Sequence, residues 1–155
     1  MKFSRFFWHP VGLVATACIG LIANTSQAAD FKAVGNNPAI LYDAPSNKGK
    51  KMFIAPRGMP VEVVLSYGEW SKVRDASGGL AWIEAKALGN KRNVVVQVAN
   101  AKVRASSEDA AFIVFSADKG VLLELADARA SNGWLKVKHK DGQAGFVKAS
   151  DVWGE

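Results

Sequence analysis

The chain carries an internal repeat. Laid over Trp134–Val152, the stretch Trp70–Leu88 aligns at all 19 positions without a gap. Trp70/Trp134, Lys72/Lys136, Val73/Val137, Gly78/Gly142 and Ala85/Ala149 are identical, and Arg74/Lys138, Trp82/Phe146, Ile83/Val147 and Leu88/Val152 are close substitutions. With common residues each below about 10% of usage, chance supplies about one identity in such a window. Upstream, Gly58–Val63 matches Gly120–Leu125 and Leu41 matches Val103, two residues out of phase. The loop Tyr67-Gly68-Glu69, set against Ala130-Ser131-Asn132-Gly133, absorbs the difference. A self-similarity of this kind sets the architecture before any other feature does, and it divides the chain into two like units of about 55–60 residues.

Both units read as strands. Val61–Leu65, Trp70–Arg74, Leu80–Ile83, Val94–Val98, Val121–Leu125, Trp134–Lys138 and Gly145–Val147 are short, rich in β-branched or aromatic residues, and bounded by Gly, Asn, Asp and Ser. Asp141-Gly142 predicts a two-residue hairpin turn, because both residue types accept positive φ, and Ser77-Gly78-Gly79 holds the same place in the first copy. Glu84–Leu88 and Lys148–Val152 each suit one short helical turn. A unit of this size buries only about 60% of its unfolded surface. The Lys91-Arg92-Asn93 linker is very short. The units are therefore expected to pack together or to share a strand, with Val94–Val98 either closing the first or opening the second. The expected fold class is all-β: two tandem small barrels, residues 29–92 and 93–155, behind a leader.

The leader is residues 1–28. Lys2 and Arg5 precede an apolar run from Val11 to about Ala23, and Ser26-Gln27-Ala28 puts small residues at the −3 and −1 positions of a cleavage site. The run is shorter than the roughly 20 residues a bilayer span needs. A cleaved signal peptide, a periplasmic location and no stable membrane insertion afterwards are expected. The only cysteine, Cys18, lies inside the run, with Ala15 where a lipoprotein signal carries a leucine-like residue, so lipid anchoring there is not expected. Cleavage removes every cysteine, which leaves a fold without disulfides. Residues 30–92 carry 10 basic and 6 acidic side chains, and residues 93–155 carry 8 of each. That mild excess suits an anionic glycan, peptide carboxylate or lipid surface, and it is too small to indicate nucleic acid.

The glycine-led strand Gly58-Met59-Pro60-Val61-Glu62-Val63-Val64, then Trp70-x-Lys72-Val73-Arg74, a glycine turn, Trp82-Ile83 or Phe146-Val147, and a closing helical turn resemble the bacterial SH3 domain. The resemblance covers nearly all of residues 39–155 and implies tandem SH3-like barrels in an envelope protein that binds a cell-wall component, either peptidoglycan glycan or stem peptide. A protein adaptor or assembly factor with an envelope-protein partner is the alternative. Ile40-Leu41-Tyr42-Asp43 is similar to the opening motif of eukaryotic SH3 domains. Ala85-Lys86-Ala87 and Ala149-Ser150-Asp151 stand where those domains build their proline-peptide groove, so a proline-rich ligand is not expected.

Strand alternation selects the candidate binding residues. Ser71 and Val73, like Leu135 and Val137, are expected to face the core. Trp70, Lys72 and Arg74, and Trp134, Lys136 and Lys138, then face outward. Ile83 and Val147 suit the core, which puts Trp82 and Phe146 on the same outer face. The candidate set is Tyr42, Trp70, Lys72, Arg74, Trp82, Trp134, Lys136 and Phe146, a pattern suited to stacking and cation–π contact. Such rings more often cover a barrel rim or seal the junction between copies, because tryptophan is commonly buried for structural reasons, and their exposure decides. Tyr42 is expected in the first irregular loop, where Lys48, Lys50 and Lys51 form a solvated charge run. His139 is the only histidine after the leader. No nucleophile–base pair, paired carboxylates, metal-ligand spacing or phosphate-cradling loop is visible, so neither catalysis nor a cofactor is expected.

Overall fold

The computed structural model describes residues 29–127 and 131–155. The expected signal peptide lies outside the described residues. The first unit runs β1 (Asp30–Val34), β2 (Ala39–Tyr42), β3 (Lys51–Ala55), β4 (Pro60–Tyr67), β5 (Trp70–Arg74), β6 (Leu80–Glu84), a 3₁₀ turn (Ala85–Ala87) and β7 (Leu88–Gly89). The second runs β8 (Asn93–Val96), β9 (Ala101–Arg104), β10 (Ile113–Ala117), β11 (Leu122–Leu125), β12 (Trp134–Lys138), β13 (Ala144–Lys148), a 3₁₀ turn (Ala149–Asp151) and β14 (Val152–Trp153). The two antiparallel sheets have orders β3-β2-β6-β5-β4-β1-β7 and β10-β9-β13-β12-β11-β8-β14, the same order with seven added to each label. The repeat is therefore complete at the level of topology.

Each unit has its own core, as the alternation predicts. Leu41, Ala55, Val61, Val73 and Ile83 fill the first, and Val103, Ala117, Leu123, Val137 and Val147 fill the equivalent places in the second. Among the described residues no strand is shared. The open question over Val94–Val98 resolves toward the second unit, where β8 pairs with β11 and β14. Its counterpart β1 pairs with β4 and β7, and the sequence reading missed it. Strands β3 and β10 were also unforeseen, and Tyr42 ends β2 rather than lying in a loop.

The hairpin turns differ from those the sequence predicts. His139 N–H donates to Gln143 O at 2.8 Å and Gly142 N–H to His139 O at 3.0 Å, with positive φ only at Gly142. That is a three-residue hairpin, a type I turn followed by a left-handed residue, not the two-residue turn expected at Asp141-Gly142. Asp75–Gly79 repeats it with Gly78 left-handed. Two-residue turns occur instead at the presumed insertion loop. Tyr67 pairs with Trp70 across Gly68 (φ 56°) and Glu69. Ser131 pairs with Trp134 across Asn132 (φ 52°) and Gly133 (φ 80°), the conformation that favours Asn-Gly.

The units meet through a few specific contacts. The Asn93 side-chain amide donates to Gly58 O at 2.7 Å. Phe31 meets Trp153 edge-on with ring centroids 5.0 Å apart, and the Arg92 guanidinium lies 6.0 Å from the centre of the Phe31 ring. No helix among the described residues is long and apolar enough to cross a membrane.

Candidate functional site

On the first barrel, strands β2, β6, β5 and β4 carry aromatic side chains on the face away from the core. Tyr42 on β2 stands opposite Trp82 on β6. Trp82 stands opposite Lys72 on β5, and Trp70 on β5 stands opposite Tyr67 on β4. Cross-strand neighbours on one face lie about 4.5–5.5 Å apart at Cβ, so such a run must touch. Tyr42 and Trp70 meet edge-on at 5.4 Å and 87°, and Tyr67 and Trp82 at 6.5 Å and 73°. Lys72 Nζ lies 5.9 Å from the Trp82 ring centre, a cation–π contact. The four rings thus form two edge-on pairs, with the Lys72 ammonium against Trp82.

Exposure grades the members of this face. Tyr42 is buried at 9%, its ring wedged against Trp70, whereas Tyr67 is 67% exposed. Trp70, Trp82 and Lys72 are half-buried. Tyr42 thus forms the support, while Tyr67, Trp70, Trp82 and Lys72 are what a ligand can reach. Arg74, placed in the candidate set by alternation, has its guanidinium held by Glu62 at 2.7 Å and is not a free cation. Tyr67 is the member the sequence reading missed. A bulge between Val63 and Leu65 adds a residue to β4 and restores alternation beyond it. Leu65 followed by an aromatic before Gly68 was the available signal.

The second barrel does not reproduce this face. Trp134 lies on the outer side but is only 8% exposed, which corrects the expectation that both copies present two rings. Lys148 covers it, with Nζ 5.6 Å from its ring centre and 2.6 Å from Asp109 Oδ1. Lys136 is exposed and stands opposite Phe146, which is half-buried. Arg104 replaces Tyr42 opposite Phe146 and donates to Ala111 O at 2.7 Å. Ser131 occupies the place of Tyr67. Of the candidate residues, the fold therefore joins Tyr42, Trp70, Lys72 and Trp82, and leaves Trp134, Lys136 and Phe146 on a separate and poorer patch. Among the described residues no group of three or more His, Cys, Asp or Glu side chains is placed to hold a metal ion.

A family model for the bacterial SH3 domain matches residues 35–89 and again 97–154, one match per barrel. Among curated proteins, none matches the chain. Among solved structures, it is similar to NlpC2 from Trichomonas vaginalis, at 11% identity and a TM-score of 0.38, over 83% of this chain and 49% of that one. It is similar also to NlpC1 from Trichomonas vaginalis, at 11% identity and a TM-score of 0.38, over 93% and 52%. The chain spans about half the length of each.

Proposed function

Because the chain belongs to the bacterial SH3 domain family, we propose that it is a non-catalytic binding protein of the bacterial cell envelope. It works in the periplasm and recognises a cell-wall component, peptidoglycan glycan or stem peptide, through the first barrel. The observation that carries this reading is the Tyr42–Trp70–Trp82–Tyr67 cluster with Lys72 among the rings. Aromatic faces stack on flat apolar surfaces, and an adjacent ammonium selects for oxygen-rich or anionic groups. Buried Tyr42 holds Trp70, and Tyr67 and Trp82 brace each other, before a ligand arrives, which lowers the ordering cost of binding.

Retention on purified sacculi tests the proposal. The protein should sediment with sacculi, and Tyr67→Ala with Lys72→Gln should abolish most of that retention. Lys136→Gln on the second barrel should leave it unchanged. Equal retention of all three proteins would refute the assignment. One observation favours a second reading as a protein adaptor: edge strand β3 exposes Met52 (52%), Phe53 (40%) and Ile54 (69%), and exposed apolar edges invite pairing with another chain. In-cell crosslinking from position 54 would then recover one dominant envelope protein.

A further inference from the structure

Between the barrels lies a cleft of about 670 Å³, within the ~300–1,000 Å³ typical of ligand sites, which favour domain interfaces. The contacts beside it hold its walls in fixed relation. Asn93 binds Gly58 O at 2.7 Å, Arg92 Nη2 donates to Gly154 O at 3.4 Å, and Phe31 packs on Trp153. A Cβ at Gly58 would fall 2.8 Å from Asn93 Nδ2, and one at Gly154 would fall 2.9 Å from Pro60 Cβ, so the barrels approach as closely as glycine allows. The cleft is formed before anything enters it.

Its walls are cationic. Arg57 precedes β4, Lys91 lies in the linker, and Lys138 and Lys140 come from β12 and its hairpin; Glu124 is the single carboxylate among the lining residues. The repeat explains how this charge is left over. In the first copy, Arg74 and Glu62 are cross-strand partners and form an ion pair. In the second, Lys138 and Glu124 occupy the same paired positions, but Glu124 turns to Lys91 at 3.5 Å. Lys138 is left without a carboxylate partner among the described residues, as are Arg57 and Lys140. Lys140 and His139 also replace Ala76 and Asp75 of the first hairpin, so the second copy adds positive charge where it faces the first. Like charges gathered around a concavity attract a counter-ion of matching valence.

We propose that this inter-barrel cleft binds an oxyanion carrying two or more negative charges, a phosphate or dicarboxylate group. The site shares no residue with the aromatic face and stands or falls independently of it. Guanidinium and ammonium groups on opposite walls can contact separate oxygens of one ligand, and the charge-assisted bonds so formed are the strong class.

The test is amide NMR of the isotopically labelled protein, expressed from the full-length sequence. It is titrated separately with inorganic pyrophosphate and with succinate at ~0.01 M ionic strength, where screening is weak. Saturable shifts confined to Arg57–Gly58, Asn90–Asn93 and Lys138–Lys140 are expected in at least one titration, and the anion that produces them identifies the phosphate or carboxylate source. Lys138→Gln with Lys140→Gln should weaken that binding about tenfold or more. Lys48→Gln with Lys50→Gln, in an exposed first-barrel loop, should not. All these side chains are exposed, so the fold of each variant can be checked in the same spectrum. Absence of saturable shifts with both anions, or equal weakening by the two double variants, would overturn the proposal.

Discussion

Gly145 offers a prediction with its own internal control. It occupies the place of Ala81, each standing opposite a core valine, Val137 or Val73. In the second barrel a Cβ at position 145 would lie 2.5 Å from Arg104 O and 2.8 Å from Val103 Cγ1. Both distances are below any normal contact, and the first involves backbone of β9, the neighbouring strand. Relief requires the two strands to separate by several tenths of an ångström. Overpacking of this kind costs ~1–3 kcal/mol. Alanine returns ~0.4–1 kcal/mol by restricting the unfolded chain. The net expected loss for Gly145→Ala is therefore ~1–2 kcal/mol, or a fall of about 5–15 °C in the melting temperature of a 60-residue unit. Ala81→Gly runs in the opposite chemical direction and should cost about 1–2 kcal/mol, from backbone entropy and the loss of a buried core methyl, with no strand displaced. Thermal and urea unfolding followed by circular dichroism measures both. A neutral or stabilising Gly145→Ala would refute the close approach of β13 to β9.

Asn132→Val should destabilise the second barrel by about 1–2 kcal/mol in urea unfolding, because a β-branched residue resists the left-handed conformation that the turn requires. Asn93→Ala leaves Gly58 O without its inter-barrel donor. It should lower stability by roughly 1–3 kcal/mol and shift amides around Gly58 as well as those beside residue 93. Asp141 accepts the Gln143 amide at 3.1 Å and pairs with His139 Nδ1 at 3.0 Å, and these contacts hold its carboxyl below the ordinary aspartate value. A depressed folded-state value means that the carboxylate supports the hairpin above the unfolded value, and that this support is lost as pH falls through the folded one. A carboxyl-carbon NMR titration should place the Asp141 midpoint below that of an unstructured peptide. Asp109, held low by its bond to Lys148, should behave the same way, and Asp109→Asn should release Lys148 and expose Trp134, seen as a red shift in its fluorescence.

The repeat made the two-barrel architecture legible, because Trp70–Leu88 and Trp134–Val152 contain the two most regular strands of each unit with the hairpin between them. Strands β1, β3 and β10 were not legible. Asp30–Val34 holds a lysine and only one β-branched residue, and Lys51–Ala55 exposes its apolar side chains at a sheet edge instead of alternating. Alternation correctly separated Val73, Ile83, Val137 and Val147 from the outer rings. It could not report what lies over an outward residue, so Trp134 beneath Lys148 and Arg74 beside Glu62 were misjudged. The inter-barrel cleft was invisible because Arg57, Lys91, Lys138 and Lys140 converge only when one unit is set against the other.

On the proposed function, the first barrel's aromatic face is a ligand surface. Chemical-shift mapping with soluble peptidoglycan fragments tests it most directly. Saturable shifts of the Trp70 and Trp82 indole N–H groups and of the Tyr67 and Lys72 amides, with Trp134 unmoved, are the predicted result. Shifts confined to the second barrel, or none at fragment concentrations that occupy other wall-binding proteins, would contradict it.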